Sequence, residues 1–274
     1  MKKEKIIIIT GASSGIGFQT AAKLAKQGHV VYGAARRIGK IESLKVFGVK
    51  PLELDVTSEY SIDKALSLVL HAEGRIDVLI NNAGYGSLGA IEDVTIDKAR
   101  RQFDVNLFGI AMLTKKVLPH MRFQKSGTII NISSMAGRFS SCFGGWYHAT
   151  KYALEAFSDS LRMEVKPFGI HVSIIEPGGI KTPWGQIAAN HLDDSSKGGA
   201  YEVQARKTAE MLRKLYDGRI LSEPKLIART ICKAVNSSHP KARYLIGLGA
   251  KPLVFLHTIL PTRWFDFLMT RVLN

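Results

Sequence analysis

Tyr147 and Lys151 stand four residues apart in a stretch whose spacing predicts a helix over 147–168, so their side chains share one face. A phenol has a pKa near 10, and bringing it to about 7 requires roughly 4 kcal/mol. A lysine ammonium ~4 Å away supplies about that much at an effective dielectric near 20. Such a pair equips Tyr147 as general base for alcohol oxidation, or as general acid for carbonyl reduction. Two adjacent serines, Ser133 and Ser134, end an apolar run and offer a hydroxyl to the substrate oxygen. His148 adjoins the tyrosine but points about a hundred degrees around the helix, which predicts a structural role. Cys142, in the 140–145 segment bordering this site, reads as a small apolar lining residue.

A second constellation suits phosphate. Thr10-Gly11-Ala12-Ser13-Ser14-Gly15-Ile16-Gly17 follows four consecutive isoleucines and opens a helical pattern. Glycines at 11, 15 and 17 permit a tight turn, close approach of backbone to ligand, and close helix–strand packing. The N–H groups and dipole of the helix that starts there favour a pyrophosphate. At the end of the next strand, an NAD site carries an acidic residue for the ribose 2′-hydroxyl. Here the chain reads Ala34-Ala35-Arg36-Arg37. A guanidinium pairs with a 2′-phosphate, and no carboxylate stands there to repel it. The expected cofactor is NADP(H) rather than NAD(H).

The elements that must position these residues are legible as alternation. Short Ile/Val-rich runs at 5–10, 30–35, 50–54, 78–81, 128–132 and 171–176 predict buried strands. Amphipathic stretches at 16–28, 59–74, 96–125 and 147–168 predict the helices between them. Strand–helix alternation implies a doubly wound, Rossmann-type α/β domain, a parallel sheet of about seven strands with helices on both faces. Past Pro183 the pattern loosens, and 185–200, rich in Asn, Asp, Ser and Gly, reads as a mobile loop. A helix near 222–237 and a strand near 243–247 follow.

Taken together, these motifs resemble the short-chain dehydrogenase/reductase family over residues 5–247. Its glycine motif matches residues 10–17, and its Asn-Asn-Ala-Gly motif matches Asn81-Asn82-Ala83-Gly84. The resemblance implies a catalytic tetrad of Asn106, Ser134, Tyr147 and Lys151, with Asn106 holding a water that links Lys151 to bulk. Of the two serines, only the family spacing favours Ser134. It also implies a cofactor site made by Gly11, Ser13, Ser14, Gly15, Ile16 and Gly17, and by Asp55 against adenine with Val56 beside it. Asn82, Ala83, Gly84, Tyr147 and Lys151 would continue that site, with Arg36 and Arg37 at the 2′-phosphate. The family's proline–glycine turn matches Pro177-Gly178-Gly179-Ile180-Lys181-Thr182, which adds Pro177, Gly178, Ile180 and, on the nicotinamide carboxamide, Thr182. In overall pattern the chain is similar to the steroid, retinol and acyl-ketone reductase branch. An intact tetrad argues for turnover over the competing reading, a catalytically idle NADP(H)-binding sensor or scaffold.

Composition narrows the partners. With 46% apolar and 22% charged residues among 274, a disordered chain is excluded and a single globular domain over 1–274 is expected. The spacing of Cys142 and Cys232 suits no metal site, and free thiols, a cytoplasmic setting and no metal are expected. The net charge of +15 accompanies no nucleic-acid module, so no nucleic-acid partner is expected. Residues 183–221 and the 135–146 segment should form the substrate lid and wall. Phe139, Phe143, Trp146 and Trp184 make them aromatic, which favours an apolar alcohol or ketone. Residues 250–274 form an apolar tail broken at Pro261, where Trp264, Phe265, Leu268 and Val272 recur at helical spacing. This tail is expected to pack on the domain or across a homo-oligomer (dimer or tetramer), with peripheral membrane contact the alternative.

Overall fold

The computed structural model describes residues 4–273, with side chains through residue 271. Strands β1 (Ile6–Thr10), β2 (Val30–Ala35), β3 (Lys50–Glu53), β4 (Val78–Asn81), β5 (Gly127–Ile132), β6 (Ile170–Pro177) and β7 (Arg243–Ile246) form one sheet. Their order is β3-β2-β1-β4-β5-β6-β7, and every pairing is parallel. The isoleucine run explains why β1 lies inside the sheet, between β2 and β4. Ile6 and Ile8 join the core on one face and Ile7 and Ile9 the core on the other, and all four are buried. A strand with no polar face can only sit between two helical layers.

Helices α1 (Gly15–Ala25), α2 (Glu59–Glu73), α3 (Ile96–Phe103), α4 (Gly109–Phe123) and α5 (Gly145–Val165) fall where the amphipathic stretches predict them. A single π-helical turn, Asp104–Phe108, joins α3 to α4. Strand order reverses between β1 and β4, so the crevice for a ligand opens at the carboxyl ends of those strands.

Two differences from the sequence reading concern the later chain. The segment 185–200 is not a loop: α6 (Trp184–Ser196) and α7 (Glu202–Asp217) form a helical hairpin. Ala188, Ala189 and Leu192 are fully buried with Ala205 and Ala209. The polar residues that suggested a loop are accommodated, since Ser195 and Ser196 both donate to the Leu192 carbonyl. The turn comes at Gly198, at φ +74°. Helix α8 (Pro224–Asn236) then precedes β7 as expected.

In the tail, α9 (Ala250–Ile259) and α10 (Thr262–Leu273) are separated at Pro261. Val254, Phe265 and Met269 pack with Phe139, whose ring lies 5.6 Å from that of Phe265. Trp264, expected on the same covered face, is 68% exposed, because positions 265 and 269 turn inward and 264 and 267 turn outward. Val272 lies outside the described side chains.

Candidate active site

A cavity of about 900 Å³ opens at the carboxyl edge of the sheet. One end is the glycine turn. Gly11 and Gly15 have φ of +67° and +55°, a backbone that glycine adopts without cost. At Gly17 the demand is for space: a Cβ there would lie 2.4 Å from the Gly11 carbonyl oxygen. Thr10 Oγ1 accepts from the Asn82 and Ala83 amides, while Asn82 Nδ2 donates to the Thr10 and Gly11 carbonyls. Asn82 thus braces the turn through β4. The first turn of α1 has no acidic residue, and Ser14 caps it without a side-chain bond. Its N–H groups therefore lack a side-chain acceptor where Ser13, Ser14, Gly15 and Ile16 line the cavity, an arrangement that fits a pyrophosphate.

Beyond β2, Arg36 and Arg37 are exposed and line the same cavity with Lys40, Lys98 and Arg101. The last three were not singled out from sequence. Lys98 and Arg101 sit three apart on α3, and only the fold brings that helix over the crevice. Asp55 accepts from the Thr57 amide and hydroxyl at 2.9 and 2.7 Å. Burial raises its pKa, but these bonds and the charges of Arg36 and Arg101 outweigh burial and hold it low. Val56, Ala83, Gly84, Pro177, Gly178, Ile180 and Thr182 complete the wall. Thr182 faces the glycine turn, its Cγ2 lying 3.2 Å from where a Gly15 Cβ would stand. Gly17 and Asn106 do not line the cavity.

At the other end, α5 delivers Tyr147 and Lys151 side by side. Both are buried, and the Lys151 Nζ lies 5.9 Å from the Tyr147 ring centre and donates to the Ile132 carbonyl at 2.9 Å. Burial pushes the tyrosine up to about 12, against a hydrogen bond with Ser134 that pulls it down. Burial also pushes the lysine down to about 8, against the charge of Glu155. The two serines separate clearly. Both border the cavity, but Ser134 is the one that acts on Tyr147, while the buried Ser133 hydroxyl acts on Glu155. Glu155, one turn below Lys151, is raised to about 7, chiefly by burial.

Asn106, fully buried in the π-turn, has its amide taken up by protein. Its Oδ1 accepts from the Tyr85 amide, and its Nδ2 donates to the Tyr85 carbonyl and Thr150 Oγ1. It ties the β4 loop to α5. His148 is held between the Ala136 carbonyl and Ser141, with Nε2 accepting from the Ser141 amide. It also borders the cavity, and its pKa is lowered by burial. Cys142 lines the cavity but is exposed, not a covered apolar group.

The substrate wall differs from the sequence reading. Phe139 and Trp184 line the cavity, whereas Phe143 packs on Tyr201 and Trp146 donates to the Ile91 carbonyl outside it. Other residues of the expected 183–221 lid, and of the tail, take their place. Tyr216 of α7 stacks near Trp184, which in turn lies 5.2 Å from Tyr147. Gly185 leaves room for the Tyr216 ring, which a Cβ would meet at 2.2 Å. His191, Leu253 and Met269 add to the wall. Among the described residues no group of three or more His, Cys, Asp or Glu could hold a metal.

The family model described as short chain dehydrogenase matches residues 5–192. A 3-ketodihydrosphingosine reductase of Bacteroides thetaiotaomicron is 37% identical over 89% of this chain and 88% of its own. Among solved structures, a short-chain dehydrogenase from Streptomyces avermitilis superposes with a TM-score of 0.80 at 35% identity, covering 93% of both chains. A serine dehydrogenase complexed with NADP+ superposes with a TM-score of 0.78 at 26% identity, covering 88% of this chain and 94% of that one.

Proposed function

The chain belongs to the short-chain dehydrogenase/reductase family, oxidoreductases that use a nicotinamide dinucleotide, and from that premise we propose that it interconverts a lipophilic secondary alcohol and its ketone with NADP(H). One observation carries the reading: Tyr147, Ser134 and Lys151 meet in the same cavity as the glycine turn. A bound nicotinamide supplies the hydride to a carbonyl carbon, or accepts it from the alcohol.

The protein's own groups handle the oxygen and the proton. Ser134 Oγ–H donates a hydrogen bond to the substrate oxygen beside Tyr147. In reduction the Tyr147 hydroxyl gives its proton to that oxygen as negative charge develops there. Lys151 stabilises the resulting phenolate, and Asn106 acts as a positioning residue through Tyr85 and Thr150. The wall made by Phe139, Trp184, Ile187, Leu212, Leu253 and Met269 supports an apolar substrate. The relative named as a 3-ketodihydrosphingosine reductase supports a ketone. Arg36 and Arg37, exposed at the rim with Arg101 nearby, support a 2′-phosphate.

The test is Tyr147→Phe. This change removes the transferable proton and keeps the ring, so oxidation of NADPH by apolar ketones should cease while NADPH binding persists. A variant that keeps more than a small fraction of the parent rate refutes the role of Tyr147.

A further inference from the structure

The C-terminal hairpin has two faces, and only one is used by the fold. Inward, Val254, Phe265 and Met269 are buried against Phe139, and Leu253 and Met269 reach the cavity wall. Outward, Phe255 and Ile259 stand one turn apart on α9, and Trp264 and Phe267 stand three apart on α10. These four are 55–68% exposed, so large apolar side chains face water on both helices. An apolar surface of this kind marks an interaction site.

Charge identifies its partner. Lys251, Arg263 and Arg271 are exposed on the same two helices, where Asp266 is the only acid in residues 250–274. The Arg271 guanidinium lies 4.5 Å from the Phe267 ring centre, so cation and ring are interleaved. Residues 201–274 as a whole carry 13 Lys+Arg against 5 Asp+Glu. A tryptophan and phenylalanines among arginines match a lipid interface, with rings at headgroup depth and guanidinium groups at the phosphates. No helix among the described residues is long and apolar enough to cross a membrane.

We propose that the α9–α10 hairpin seats this protein on an anionic lipid surface through Phe255, Ile259, Trp264 and Phe267, with Lys251, Arg263 and Arg271 holding the phosphates. The hairpin that touches lipid is also the one that lends Leu253 and Met269 to the cavity. A lipophilic substrate then partitions next to the wall it must pass. That consequence rests on the alcohol–ketone reading; the docking itself does not.

The experiment is co-sedimentation of the full chain with vesicles of phosphatidylcholine, alone or mixed with phosphatidylglycerol. The full chain should bind the mixed vesicles and bind pure phosphatidylcholine about tenfold or more weakly, since each cation near the surface strengthens binding. Trp264→Ser with Phe267→Ser should lose about tenfold in vesicle binding, as should Arg263→Gln with Arg271→Gln. Both should keep the parent's rate on a soluble ketone. The arginine variant changes only exposed groups, so it remains informative if the aromatic variant fails to fold. A full chain that stays in the supernatant overturns the proposal. So do arginine variants that sediment like the parent, or an aromatic variant whose sole change is from dimer to monomer, which assigns the face to a second copy of the chain. Vesicle binding is read without turnover, so its failure and failure of the enzymatic reading are separate results.

Discussion

Replacing Lys151 with methionine tests the electrostatics of the site without an assay of turnover. Lys151 is 5% exposed, and burial lowers its pKa from 10.5 to about 8. The unfolded chain therefore binds a proton that the folded chain has given up, across the window from about pH 8 to 10.5. Stability from this group is complete above pH 10.5 and is lost as pH falls through 8. Holding this group at about 8 rather than 10.5 costs the fold about 3 kcal/mol at pH 7. Lys151→Met removes that cost and also removes the donor to the Ile132 carbonyl, a loss that does not depend on pH. The difference in unfolding free energy between parent and variant should thus move by about 2 kcal/mol in the parent's favour from pH 7.5 to 10. Titrating groups remote from Lys151 cancel between the two proteins, and its neighbours Glu155, at about 7, and Tyr147, at about 12, ionise mainly outside this range. Urea unfolding of both chains across this range, without cofactor, measures the difference directly. A difference that stays flat with pH, or that moves in the variant's favour, refutes the reasoning.

Two further expectations concern the ends of the cavity. Arg36→Ala with Arg37→Ala should erase a preference for NADPH over NADH of about tenfold or more, because a charge-assisted bond contributes about 1.5–3 kcal/mol. Equal dissociation constants for the two cofactors in the parent would sink that assignment. Phe265→Ala should cost about 3 kcal/mol in denaturant unfolding, because the ring is 3% exposed against Phe139. An unchanged midpoint would show that the tail's inner face contributes nothing.

The sheet was legible because its signal is local. Four isoleucines in a row must be buried on both faces, and Gly11, Gly15 and Gly17 follow them directly. Beyond the motifs the wall was legible only as the segments 135–146 and 183–221, because which of their residues face the cavity, and what joins them, depends on distant chain. Lys98, Arg101, Tyr216, Leu253 and Met269 meet the site only through folding. Nearness in sequence also misled. Trp146 adjoins Tyr147, yet the helical rotation that separates neighbours turns it outside toward Ile91. Residues 185–200 were misread because their serines resemble turn formers, whereas the alanines at 188 and 189 and Leu192 supply the buried stripe of a helix.

Burial is the quantity a sequence hides most completely, and it resets the acid–base argument. Reasoning from an ordinary phenol, a lysine nearby suffices to bring Tyr147 to neutrality. The buried hydroxyl instead sits at about 12, so bringing it to 7 requires about 7 kcal/mol. An ammonium 5.9 Å from the ring supplies about 3 kcal/mol at an effective dielectric of 20, and Lys151 is itself lowered to about 8. The protein's own charges thus leave Tyr147 better fitted to give a proton than to take one. For the proposed reaction, ketone reduction should vary little below about pH 8, since the hydroxyl keeps its proton there. Alcohol oxidation needs the phenolate, whose population rises about tenfold per pH unit below its pKa. Its initial rate should climb steeply from about pH 7 to 9, with a deuterated alcohol used to establish that the hydride step limits the rate. An oxidation rate independent of pH over that interval, under a full isotope effect, would show that Tyr147 is already ionised and that burial does not govern it.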